Sequence, residues 1–128
     1  MNLLIIQQIY SHHYFSQVRD VDPRPPPIIH QGPQNQTLPI DSVAMLQCHS
    51  SGDPPPRINW LKNNRPLSDR DPRIAILDSG TLQISDLHLS DTAIYTCKAI
   101  SETGETSWSA ALDVQSSSNM KVCKVIYP

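Results

Sequence analysis

No run of apolar residues in this chain approaches the roughly 18 that a membrane-spanning helix requires. Near the start, Leu3-Leu4-Ile5-Ile6 is a run of four, short of the roughly 7–15 of a secretory leader's apolar stretch. No basic residue precedes it and no small-residue cleavage site follows it. Charge of one sign is also missing. Ten Lys and Arg against twelve Asp and Glu leave a formal net charge of −2, which gives no electrostatic footing for nucleic acid or an anionic lipid surface. Glycine is scarce, with four residues in 128, and there is no glycine-rich phosphate loop. Serines, histidines and aspartates occur, but no active-site motif frames them. An enzyme therefore has no support, and no cofactor or small-molecule substrate is implied.

Proline, by contrast, is abundant, at twelve residues. Inside a helix each would remove a hydrogen bond and clash with the preceding turn, so the composition favours short strands separated by turns. Pro23-Arg24-Pro25-Pro26-Pro27 must be extended and reads as a semi-rigid spacer at residues 23–27. It also contains a PxxP pattern of the kind SH3-type grooves take, but its place directly before the first strand favours a linker. Residues 1–22 have no sustained period and read as poorly ordered, and residues 116–128 read as a flexible tail.

Between these ends, strand signals recur at short intervals over residues 28–115. Segments 28–31 and 36–40 read as edge strands split by Gly32-Pro33. Segment 42–50 alternates, with Ala44, Leu46 and Cys48 on one face and Met45, Gln47 and His49 on the other. Ile58 and Trp60, then Ile74 and Ile76, then Leu82, Ile84 and Leu87 are expected to face inward. So are Ala93, Tyr95, Cys97 and Ala99, and finally Ala110, Leu112 and Val114. Trp108 falls inward by simple alternation and outward if a bulge intervenes. Period-2 alternation is what two stacked antiparallel sheets require. No helix of useful length is expected.

Cys48, Trp60, Asp91, Tyr95 and Cys97 form the informative set. The cysteines fall mid-strand, 49 residues apart, and Trp60 lies twelve residues after the first. In an immunoglobulin sandwich a disulfide pins the two sheets and a tryptophan packs against it. A tyrosine two residues before the second cysteine bends its hydroxyl back to upstream backbone. The sequence matches on every count, so the expected fold is an all-β, immunoglobulin-like I-set sandwich with a Cys48–Cys97 disulfide. Leu82 joins its core, and Arg73 is placed to pair with Asp91 across the base. A cross-link closing such a loop contributes about 4 kcal/mol on chain-entropy grounds. These residues hold a fold and do not state a function.

Asn35-Gln36-Thr37 is an N-glycosylation acceptor sequence, expected on an edge strand where a glycan would be solvated and would blunt edge pairing. On the outward face of the sheet carrying Trp60 and Cys97, the expected residues are Asn59, Leu61, Ile94, Thr96, Lys98 and Ile100. Leu61, Ile94 and Ile100 would make an apolar patch there, with Lys98 beside it, a candidate contact face. His12 and His13 are adjacent, so on a strand they point apart, and no partner at metal spacing joins them; no metal site is expected. Cys123, the odd cysteine, implies a free thiol, an intermolecular bond or an incomplete chain, and the last is the reading adopted.

Several stretches resemble one family. Arg24-Pro25-Pro26-Pro27-Ile28-Ile29-His30-Gln31-Gly32-Pro33-Gln34-Asn35-Gln36-Thr37 is similar to the lead-in of the fifth immunoglobulin domain of Roundabout receptors. The likeness continues through Gly52-Asp53-Pro54-Pro55-Pro56-Arg57-Ile58-Asn59-Trp60 and Gly80-Thr81-Leu82-Gln83-Ile84. It ends in Gly104-Glu105-Thr106-Ser107-Trp108-Ser109-Ala110, and it covers about residues 19–115. The resemblance implies a piece of a single-pass neuronal receptor for Slit ligands, acting in axon guidance and cell migration. In that family the ligand site lies mainly on the first immunoglobulin domain. This part would then be an extracellular spacer and adhesion module whose partners are neighbouring receptor domains or other receptor copies, without direct Slit contact. The unmatched ends and the missing leader and anchor point to a fragment of a plasma-membrane receptor. Two alternatives compete: an I-set domain of an intracellular muscle scaffold with reduced cysteines, and a secreted immunoglobulin decoy.

Overall fold

A computed structural model describes residues 24–67 and 70–116. His12, His13 and Cys123 lie outside the described residues, as do nearly all of the N-terminal segment and of the tail. Among the described residues ten strands follow one another: β1 Ile28–Gln31, β2 Gln36–Pro39, β3 Ala44–Leu46, β4 His49–Ser51, β5 Arg57–Lys62, β6 Arg65–Pro66, β7 Ile74–Ile76, β8 Leu82–Ile84, β9 Ala93–Ser101 and β10 Gly104–Gln115. A 3-10 turn, Leu89–Asp91, precedes β9.

One layer is the five-stranded sheet β2-β10-β9-β5-β6. The other is built from β3-β8-β7 and the pair β1-β4, with β3 and β4 separated in the chain by Gln47 and Cys48 alone. The fold is thus the all-β immunoglobulin-like sandwich expected. One pairing departs from the antiparallel rule: β2 runs parallel to β10, with Leu112 opposite Gln36 and Val114 opposite Leu38. The chain leaves β1 in one layer and crosses at residues 32–35 to the other without reversing, so it arrives beside β10 in the same direction.

The core follows the alternation. Ala44, Leu46, Cys48, Leu82 and Ile84 from one layer, and Trp60, Tyr95, Cys97, Ala99, Leu112 and Val114 from the other, are all buried. Each fully buried leucine or isoleucine contributes about 1.5–3 kcal/mol relative to exposure. Ile58, Ile74 and Ala93 are only partly buried but pack on this core.

Ile76 faces inward as expected but is not buried. Its register with Leu82 gives it the inward side, yet it is 51% exposed, because β7 is the outermost strand of its sheet. The proline lead-in is also more than a free spacer. Pro27 is buried, and its carbonyl accepts a hydrogen bond from the Thr106 hydroxyl. Pro26 lies over Gly104, whose φ of +136° and crowded surroundings suit only glycine.

Candidate functional site

The five diagnostic side chains meet as a framework. Cys48 and Cys97 form the disulfide, with their Cα atoms 6.4 Å apart. Trp60 pairs with Cys97 in the β5–β9 register, and its indole N–H donates to the Gly80 carbonyl at 2.8 Å. Gly80 has a φ of +92°, and a Cβ there would stand 2.8 Å from the Cys48 carbonyl oxygen. That turn is therefore glycine for two reasons.

At the base, the Tyr95 hydroxyl donates to the Asp91 carbonyl at 2.6 Å. Burial pushes the phenol's pKa well above its usual value, helped by the nearby Asp91 charge. Arg73 forks onto both Asp91 oxygens, at 2.8 and 3.1 Å, and also donates to the Ser85 and Asp86 carbonyls and to Asp71. The His88 backbone N–H donates to Asp91 at 2.7 Å. Burial alone would raise the Asp91 pKa; the Arg73 and His88 hydrogen bonds outweigh it and hold the carboxyl below its ordinary value. These hydrogen bonds tie the side chains of Arg73, Asp91 and Tyr95 into the framework of the sandwich.

Outward, the large sheet presents four rows across β10, β9 and β5. Ala111 stands opposite Ile94, Ser109 opposite Thr96 and Leu61, Ser107 opposite Lys98 and Asn59, and Glu105 opposite Ile100 and Arg57. The expected single apolar patch does not form. Ile94, 47% exposed, lies six residues from Ile100 on one strand, roughly 20 Å at strand rise. Between them Thr96 is buried and shares a hydrogen bond with Ser109, and Lys98 pairs loosely with Glu105 at 3.8 Å. Leu61 is half-buried and sits by Pro66 and Thr96. The face is mixed, with an apolar spot at each end and polar rows between.

Asn35 is exposed and stands in the crossing segment just before β2, not on the strand as expected. Its Oδ1 accepts from the Ala111 backbone N–H at 2.8 Å.

Sequence reasoning left one feature open. Trp108 pairs with Cys97 in a regular β9–β10 register, without a bulge, so it keeps the inward side; yet it is 43% exposed. Its ring lies against Gly32, where any Cβ would collide with it. Alternation carried the facing, but the local pattern does not say how far the ring is covered.

The immunoglobulin I-set domain family matches residues 27–114. Roundabout homolog 2 of Homo sapiens is 58% identical over 94 residues, which is 73% of this chain and 7% of that protein. Roundabout homolog 1 of Mus musculus is 42% identical over 113 residues, 88% of this chain and again 7% of the relative. The chain thus spans about 7% of the length of these curated relatives. Among solved structures, the tandem Ig repeats of Dlar superpose with a TM-score of 0.70 at 28% identity, covering 77% of this chain and 52% of that one. Titin domain M7 superposes with a TM-score of 0.67 at 28% identity, covering 74% and 99%.

Proposed function

This chain belongs to the immunoglobulin I-set family, its domain is of the Roundabout type, and from that premise we propose that it serves as an extracellular spacer and adhesion module of an axon-guidance receptor. The observation that carries the reading is the 58% identity to Roundabout homolog 2 over 94 residues, which exceeds what a shared core demands, since titin M7 keeps the fold at 28%. The domain is not an enzyme. Its partners are proteins: neighbouring domains of the same receptor and other receptor copies, met through exposed strand faces and edges. Slit itself would be bound elsewhere. A scaffold role inside muscle shares the architecture without the Roundabout-type stretches.

The disulfide and the exposed acceptor at Asn35 both suit an oxidising, glycosylating compartment. The test is to express the full chain behind a secretion leader and measure intact mass with and without glycosidase and reductant. A Cys48–Cys97 bond with a glycan on Asn35 supports the extracellular module. A stable domain that leaves the cell with both thiols reduced and Asn35 bare would overturn it.

A further inference from the structure

We propose that an N-linked glycan on Asn35 is a structural part of the sandwich, its first two sugars lying along one row of the large sheet, over Ala111 and Ile94. The inference rests on the extracellular reading above, since only an exported chain meets the glycosylating machinery.

Asn35 is held in a way that suits this. It is exposed, and its Oδ1 accepts from the Ala111 backbone N–H at 2.8 Å. Its Nδ2 has no hydrogen-bond partner among the described residues. The oxygen is fixed and the nitrogen that takes the sugar is free. Transfer joins Nδ2 to C1 of an N-acetylglucosamine carried on a polyprenyl diphosphate; the C1–O bond to the diphosphate breaks and Nδ2 gives up one proton. The product amide keeps its oxygen, so the bond to Ala111 survives and limits how the root of the glycan can turn. Asn35-Gln36-Thr37 is the one acceptor sequence in the chain, so any N-glycan sits here.

Register decides which side the glycan meets. β2 runs parallel to β10 with Gln36 opposite Leu112, so one residue earlier Asn35 stands opposite Ala111. Leu112 is buried, which gives Ala111, and Asn35 beside it, the outward side. Ala111 in turn stands opposite Ile94, and the Ile94 N–H donates to the Asn63 side-chain oxygen at 3.0 Å. One row thus runs Asn35, Ala111, Ile94, Asn63, at roughly 5 Å per step. Trp108 keeps the other side of the sheet and is off this path.

The chemistry of the row matches a sugar chain. A pyranose ring is about as long as one strand spacing, so the first ring covers the Ala111 methyl and the second reaches Ile94, which is 47% exposed. Each ring has an apolar face of C–H groups, which gains by leaving water against aliphatic side chains. Asn63 is exposed, and its amide nitrogen has no partner among the described residues, so it can donate to a sugar hydroxyl at the far end. A lone exposed isoleucine needs no explanation; its place in line with the glycan's root is what singles Ile94 out. This end of the outward face would then be closed to protein partners.

The experiment uses the full chain and its Ile94→Ser variant, both secreted with high-mannose glycans, with occupancy of Asn35 read from intact mass. Each is melted with the glycan whole and after endoglycosidase H, which cuts between the first two sugars. In the parent, trimming should lower the melting midpoint by about 4 °C, the size of shift that partial burial of one isoleucine gives in a domain of this length. In Ile94→Ser, whose side chain faces out and leaves the core untouched, trimming should cost far less. NMR should show NOEs from the N-acetyl methyl of the second sugar to the Ile94 methyls. Equal losses in the two chains, no loss in the parent, or NOEs to Trp108 instead would overturn the inference and leave the receptor reading standing. A chain secreted with Asn35 bare would overturn it too; if its thiols are also reduced, the receptor reading falls with it.

Discussion

Arg73 closes on Asp91 through two parallel hydrogen bonds of 2.8 and 3.1 Å, directly beneath the point where Tyr95 reaches the Asp91 carbonyl. One acidic residue thereby ties three segments: the start of β7, the 3-10 turn and β9. Its carboxylate is almost wholly buried, with 5% of the side chain exposed.

Removing one partner of such a pair leaves a buried charge without compensation. Arg73→Ala is expected to cost about 3–5 kcal/mol of folding stability, and replacing both residues by apolar ones less than the sum. Denaturant unfolding of the two single variants and the double variant measures this directly.

The same pair sets an acid limb. The folded-state pKa of Asp91 lies below the unfolded value, about 3.9 for an aspartate. The stabilisation is therefore fully present above that value and is lost as pH falls through the folded one. Unfolding midpoints measured from pH 6 downward should decline below about pH 4, and Asp91→Asn should flatten that limb.

Tyr95 gives the opposite sign. Its folded-state pKa is raised by burial, so the stabilisation is complete below the unfolded value of about 10 and falls as pH rises toward the folded one. Tyr95→Phe is expected to cost about 1–2 kcal/mol through the lost hydrogen bond and to remove the alkaline decline contributed by this group. Thermal melts at pH 8 and pH 11 separate the two effects.

Gly80→Ala meets both a positive φ and the Cys48 carbonyl. A loss of about 1–3 kcal/mol is expected from the strained backbone, and displacement of the turn should loosen the Trp60 indole bond. Fluorescence of a Trp108→Phe background, in which Trp60 alone reports, should shift to the red if that happens.

Replacing Cys48 and Cys97 together by alanine should lower stability by about 4 kcal/mol on loop-closure grounds, comparable with the whole net stability of a small domain. Calorimetry on the unreduced parent and the double variant checks it; a loss below 1 kcal/mol would mean that core packing, not the cross-link, carries the sandwich.

Cys48, Trp60, Tyr95 and Cys97 could be placed from spacing alone, because a period of two assigns each residue to one side of its strand; Asp91, in the 3-10 turn before β9, was legible only from its place four residues ahead of Tyr95 in the tyrosine-corner pattern. The same rule put Leu82, Ile84, Leu112 and Val114 in the core correctly. It already set Thr96 and Lys98 between Ile94 and Ile100 on one face; the register against β5 and β10 adds that Asn59, Ser107 and Ser109 extend them into polar rows across the sheet. It could not foresee that β2 runs parallel to β10, which depends on where the chain lands after crossing layers, or that Asn35 stands before the strand with its amide oxygen holding Ala111.

Trp60 and Trp108 show the division most directly. Both pair with Cys97 in register, one from β5 and one from β10, and alternation gives both the inward side. Trp60 is 3% exposed and Trp108 43%. The local pattern determined which way each ring points. Only the tertiary structure decided that Gly80 and its turn hold the first while the second, lying against Gly32, stays half open, because burial depends on what the rest of the chain places opposite a side chain.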